Sequence, residues 1–232
     1  MIKSFLILIN LQILLYSSQQ IILVVSESFS NPKASLECYE DGKKTFHTME
    51  VNIGKNGLGW GRGEVSLKQK NSEPLKYEGD KKAPIGVFKL TDIYGYAQIH
   101  SYKMPYLYTS QNLICVDDSG SNFYNQIIEA NGGEKSFEYM KRGDHQYELG
   151  IVVQHNRDAI AKRGSCIFLH VQKSLDSPTA GCTAMSLKEI HQIASWLDKD
   201  KNPILIQIPK SSSGEILKLY PELKNSGLLK EK

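Results

Sequence analysis

At 232 residues and 26.1 kDa, with 41% hydrophobic and 23% charged residues, the chain has the make-up of one large globular domain or two small ones, which excludes disorder over its whole length. A mean hydropathy of −0.34, with one long apolar run near the first residues, excludes a polytopic membrane protein. A net charge of +3 and a pI near 8.5 are too balanced for nucleic acid as the main partner, and four cysteines do not make a disulfide scaffold.

Residues 1–18 read as a signal peptide. Lys3 precedes Phe5–Ile9 and then Leu11, Ile13, Leu14 and Leu15, a run of about a dozen residues that is short for a spanning helix of roughly 20. Ser17 and Ser18 stand where a signal peptidase would cut, and the alternative is an uncleaved anchor continued by Ile21–Val25. The β-branched content of Ile21–Val25 favours a first buried strand instead. Cleavage implies an exported protein of the periplasm or cell envelope, with no stable membrane insertion afterwards.

The body, residues 19–210, predicts one mainly β domain with few helices. Strands are expected at 36–40 and 45–53, joined by the hairpin turn Asp41-Gly42. Five glycines among residues 54–63 predict a loop that lets the backbone approach a ligand or a neighbouring strand. Further strands are expected at 86–90, 112–117, 149–154, 166–171 and 204–208. The one firm helix is 187–198, with Ser186 as N-cap, Glu189 completing a capping box and an apolar stripe of Leu187, Ile190, Ile193, Ala194 and Leu197. Residues 211–232 form a polar, Lys-rich tail expected to be loose or partly helical.

The chemistry concentrates at 165–186. His170 ends an apolar strand, and Cys182 follows Gly181 in a loop just before the capped helix. A loop of a dozen residues is long enough to return Cys182 to His170. An imidazole within reach of a thiol is what a cysteine nucleophile needs. A nearby imidazolium and the helix N-terminus are expected to raise the thiolate fraction. Gly181 permits a tight turn, and backbone N–H groups around Cys182 are candidates to face a developing oxyanion. The bland alternative is a buried cysteine and a satisfied core histidine. The sequence has no CxxC or HExxH spacing, so neither a metal site nor a cofactor is expected.

The segment Thr179-Ala180-Gly181-Cys182-Thr183-Ala184-Met185, with His170 upstream, resembles the catalytic segment of the L,D-transpeptidases (the YkuD-like family). Tyr77–Phe88, with Ala83-Pro84-Ile85-Gly86-Val87-Phe88, is similar to that family's proline–glycine stretch. Val116-Asp117-Asp118-Ser119 with Tyr124-Asn125, and Val152–Asn156, resemble a divergent branch that tolerates the "TAGC" form. The likeness covers about residues 19–209. It implies a β-sandwich-like catalytic domain acting on peptidoglycan stem peptides, with Cys182 as nucleophile, His170 as base, and Gly181, Thr179 and Thr183 in support. Most members carry His where Ala180 stands and Arg or Asn where Ala184 stands, which leaves open how a substrate carboxylate is held. Arg157, Arg163 and Lys173 are candidates. The resemblance implies a Cys182 thioester resolved by an amine, giving a 3–3 crosslink, or by water, giving a trimmed stem. A non-catalytic wall-binding domain is the reading from another class.

Asp118, Tyr124, Asn125, His155 and Trp60 are candidate substrate-binding residues, each with a structural alternative. Asp117 to Asn125 could equally form an Asx-type turn capping a short helix at 122–129, and Trp60 could equally pack. Cys38, Cys115 and Cys166 allow at most one disulfide, leaving one thiol over. Sequence leaves the oligomeric state open.

Overall fold

The computed structural model describes residues 18–98 and 100–230. Most of the predicted signal segment, residues 1–17, lies outside the described residues. None of the described helices is long and apolar enough to cross a membrane.

The strands in chain order are β1 (Gln20–Ser26), β2 (Lys33–Glu40), β3 (Lys43–Lys44), β4 (Met49–Asn52), β5 (Leu58–Trp60), β6 (Ala83–Gly95) and β7 (Tyr106–Tyr108). They continue with β8 (Leu113–Val116), β9 (Ile127–Glu129), β10 (Phe137–Tyr139), β11 (Leu149–Val153), β12 (Phe168–Val171), β13 (Thr183–Met185) and β14 (Ile204–Pro209). Two helices follow β13 and β14 respectively, α1 (Leu187–Trp196) and α2 (Ser213–Leu219). The expected mainly β architecture stands. The main sheet runs β1-β14-β6-β11-β12-β13-β4-β2, and pairing of β2 back onto β1 closes it into a ring. Closure explains the sequence of β1: paired on both edges and buried on both faces, Gln20–Ser26 is covered throughout, so its β-branched run is under no pressure to alternate.

The turn after β2 forms as expected, with Asp41 and Gly42 both at positive φ. The single strand expected over 45–53 does not form. Its hairpin return is β3, only two residues long, and the chain bends before β4 pairs further along β2. In the glycine-rich loop, Gly57 sits at φ +72 with Phe29 O only 2.0 Å from where a Cβ would stand, so here glycine serves close packing of one loop on another. The helix begins as predicted: Ser186 Oγ accepts from the Glu189 N–H, and the Glu189 carboxylate accepts from the Ser186 N–H. Ile190, Ile193, Ala194 and Leu197 enter the main core.

The tail is partly helical but not loose. Ile216, Leu223 and Leu229 are buried in the main core, and Ser226 Oγ donates to Glu37 at 2.6 Å. Glu37 also accepts from Tyr39 and Lys44, which holds its carboxyl below the usual range despite burial.

A separate three-stranded sheet, β10-β8-β9, lies beyond the ring. A second hydrophobic cluster of Tyr94, Leu113, Cys115, Met140, Tyr147, Cys166, Phe168 and Cys182 joins it to the ring strands β6 and β12. Strand alternation supplies that cluster: Ile93 and Leu169 belong to the main core, while Tyr94 and Phe168 belong to the second. Gly150 makes room for it, since a Cβ there would stand 2.2 Å from the Tyr94 ring. Tyr94, Tyr147 and Phe168 then meet edge to face, with centroids 5.2–5.8 Å apart.

Candidate active site

β12 and β13 run parallel, with Leu169 beside Thr183 and His170 beside Ala184. Cys182, one residue before β13, falls alongside Phe168. Cys182 and His170 therefore become diagonal neighbours on the face turned toward the small sheet. Residues 171–181 form the connection between the two.

The sulfur is held by backbone. The Phe168 N–H donates to Cys182 Sγ at 3.3 Å, and the thiol donates to the Cys166 carbonyl at 3.5 Å. Among the described residues no hydrogen bond joins Cys182 to His170. The imidazole Nδ1 donates to the carbonyl of its own neighbour, Val171, at 2.8 Å. In the neutral ring this places the lone pair on Nε2. The Tyr147 ring packs edge-on against the imidazole at 5.2 Å and fixes its plane.

Both groups are buried, Cys182 at 7% exposure and His170 at 4%. Burial pushes the Cys182 thiol up to about 12, against the pull of the Phe168 N–H and of the Lys76 and Arg142 charges. Burial likewise lowers His170 to about 4. The resting pair is a neutral thiol and a neutral imidazole, which corrects the expectation of a thiolate sustained by a nearby imidazolium. The helix N-terminus already faces a negative charge of its own, the Glu189 carboxylate that accepts from the Ser186 N–H.

Gly181 takes φ +151, and a Cβ there would stand 3.0 Å from the Lys82 carbonyl. Thr179 braces the same turn: its hydroxyl accepts from the Gly181 N–H at 3.1 Å and donates to the Cys182 carbonyl at 2.6 Å. Thr183 is buried and donates to Gln207, whose amide reaches the Pro84 carbonyl. These contacts give Thr179 and Thr183 the geometry of a scaffold beneath the cysteine. Lys76, buried at 3% exposure, pairs with Asp80 at 2.6 Å, and its ammonium lies 3.6 Å from the Cβ position of Gly181.

The other sequence candidates are engaged by protein partners. Asp118 accepts from the Gly120 N–H at 2.9 Å, the expected Asx turn. The helix expected after it at 122–129 does not form; the chain turns and enters β9. Tyr124 donates to Glu78. Asn125 is a bracket, donating to the carbonyls of His155 and Asn156 and accepting from the Cys166 N–H. His155, buried at 1%, accepts from the Arg62 N–H at Nδ1 and donates to the Arg163 carbonyl at Nε2. Trp60 packs in the core and donates to Glu73. Asn125 and His155 line a cavity of about 160 Å³ shared with Arg157 and with the disulfide Cys115–Cys166. The free thiols are Cys38 and Cys182.

Sequence reasoning missed Tyr147, Glu138 and Arg142. Glu138 is half-buried, accepts from the Tyr147 hydroxyl, and has its carboxyl raised by loss of solvent. Arg142 stacks over Tyr147 with the guanidinium 5.0 Å from the ring centroid. None of the three lies in a recognisable motif, and only the tertiary fold brings them to β12.

Burial also lowers His155 to about 4. A histidine buried neutral binds fewer protons folded than unfolded between about pH 6.5 and 4, so stability is complete above that window and falls as pH drops through it. The expected loss is on the order of 3 kcal/mol for each of His155 and His170. Urea unfolding at pH 7.5, 6, 5 and 4 measures it. The substitution His155→Gln, which keeps both hydrogen-bonding roles, should flatten about half of the slope above pH 5; an unchanged slope would contradict the assignment.

No curated protein matches the chain. Among solved structures, a variant of the helical cell shape determining protein Pgp2 from Campylobacter jejuni aligns at 15% identity and a TM-score of 0.42, covering 83% of this chain and 47% of that one. The chain thus spans about half the length of that protein. The family model for the YkuD L,D-transpeptidase catalytic domain matches residues 28–206, which takes in β2 to the first half of β14, His170 and the Gly181-Cys182 turn, and the chain belongs to that family.

Proposed function

We propose that this protein is an exported cysteine acyltransferase that acts on peptidoglycan stem peptides through a Cys182 thioester. The carrying observation is the placement of Cys182 and His170 as diagonal neighbours on one face of a parallel strand pair, within a family of peptidoglycan-type catalytic domains.

The chemistry follows from the neutral pair. Rotation of the thiol away from the Cys166 carbonyl turns its proton toward Nε2 of His170, which accepts it as the sulfur attacks the carbonyl of the third stem residue, at its L-centre. The Val171 carbonyl, already bonded to Nδ1–H, steadies the imidazolium that forms. The Phe168 N–H, which contacts the sulfur, and the Lys76 charge behind the turn favour the developing negative charge. The bond to the terminal D-amino acid breaks, and that residue leaves as an amine with the proton returned by His170. A neighbouring stem amine then resolves the thioester to a 3–3 crosslink, or water resolves it to a tripeptide. A neutral starting pair avoids holding an ion pair in a dry site before substrate arrives.

Mass analysis of products from the purified protein and tetrapeptide muropeptides tests the reading. Crosslinked dimers short of one terminal D-residue support transpeptidation, and tripeptides support carboxypeptidase action. Binding without any product supports the wall-binding reading and overturns the enzymatic one.

A further inference from the structure

We infer that Arg142 is the carboxylate anchor of the site, seated in the cleft formed by residues 137–144 and positioned to hold a carboxylate of the acyl-donor peptide beside Cys182 and His170. This rests on the proposed function and adds the residue that selects an anionic donor. The position where most family members carry Arg or Asn is Ala184 here, buried and in register with His170, so that position supplies no cation.

Four observations converge on Arg142. First, it lines an open cleft of about 540 Å³ together with Phe137, Glu138, Tyr139 and Lys141, and Glu138 of that cleft accepts from Tyr147, the ring packed on His170. Second, a continuous stack connects it to the base: the guanidinium lies 5.0 Å from the Tyr147 centroid, and Tyr147 lies 5.2 Å from the His170 ring. Third, it is preorganised. The Tyr96 hydroxyl accepts from the Arg142 N–H and donates to the Arg142 carbonyl, both at 2.8 Å, and Asp144 accepts from Nε at 2.9 Å and from Nη2 at 2.6 Å. Fourth, it is not used up. A guanidinium has five N–H donors in a fixed fork; the Asp144 pair takes two, and the side chain is 36% exposed toward the cleft. Its field already reaches the reacting groups, since its charge opposes protonation of both Cys182 and His170.

Arg157 and Arg163 are worse placed. Arg157 lines the separate cavity by the disulfide, and Arg163 stacks on Tyr77. A stem tetrapeptide presents two carboxylates within reach of one acyl centre: the C-terminal one on the leaving residue, and the one on the D-centre of a diamino acid at position three. Both are the same chemistry for a guanidinium fork.

Calorimetric titration of the full-length Cys182→Ala protein with purified tetrapeptide tests the inference without turnover. Arg142→Gln in that background should weaken binding about 10- to 100-fold, and Arg142→Lys, which keeps charge but loses the fork, by less. Two altered ligands need no further substitution: a C-terminally amidated tetrapeptide, and one with lysine at position three. Whichever carboxylate Arg142 holds, its removal should weaken binding by a similar factor, and the Arg142→Gln effect should vanish for that ligand alone. Equal affinity of both altered ligands and the parent overturns the anchor, as does unchanged affinity in a folded Arg142→Gln protein. Absence of any tetrapeptide binding to the Cys182→Ala protein overturns the proposed function itself, a separate result.

Discussion

Cys182→Ala should reduce product formation from tetrapeptide muropeptides by at least about 10⁴-fold while leaving the unfolding midpoint within about 1 kcal/mol of the parent, since a small buried side chain is exchanged for another. His170→Ala should cost a comparable factor, and the double variant little more, because the two groups act as one unit. Product quantification by mass spectrometry reads all three. Full turnover in either single variant would remove that residue from the mechanism. The buried sulfur adds a second signature. With its thiol pushed up to about 12, Cys182 should react slowly with iodoacetamide at pH 7 and faster as pH rises past 9. The only other free thiol, Cys38, is fully buried, so labelling by peptide mapping separates the two.

Loss of the Cys115–Cys166 disulfide should have the largest effect on stability. The bridge spans 51 positions and ties β8 of the small sheet to the approach of β12. Loop-closure entropy for a loop of that size corresponds to about 4 kcal/mol. Activity should fall as well, by a route distinct from unfolding. The Cys166 carbonyl accepts a hydrogen bond from the thiol of Cys182, the proposed nucleophile, and Cys166 itself sits at φ +54, held there by the bridge and by Asn125. Denaturant unfolding of the Cys115→Ser/Cys166→Ser protein, with turnover measured far below its midpoint, separates the two effects. A stability change under 1 kcal/mol with unchanged turnover would show the bridge to be dispensable.

The candidate segment was legible in the sequence because its signals are local. The apolar strand, the Gly-Cys turn and the Ser186/Glu189 capping box each occupy a few consecutive residues; the cap forms where its pattern places it, while the strand expected from 166 begins at Phe168 and runs one residue past His170. Of the small sheet only its central strand, expected at 112–117 and formed as β8, was legible. Its partners β9 and β10 are three residues long, below the length at which alternation becomes a signal. Arg142 and Tyr147 face the site only because β8 to β10 fold back over β12. The thiol's protonation is not legible for the same reason: the spacing to an imidazole is local, but the aromatic cover that excludes water from both groups is built from Tyr94, Tyr147 and Phe168, scattered along the chain. The docked tail escaped notice because its three anchors, Ile216, Leu223 and Leu229, are diluted among lysines and serines.

The closed ring also dictates when the molecule can fold. Ile21 finds its parallel partner in Ile204 and Val25 in Ile208, so β1 leaves the ribosome long before the strand it pairs with. A nascent chain stopped before β14 presents β1 with one edge unsatisfied and β6 without its neighbour. Local hairpins can form, but the barrel cannot, and closure becomes a slow, late event dominated by long-range pairing. Until synthesis has passed residue 209, the ring stays open between β1 and β6.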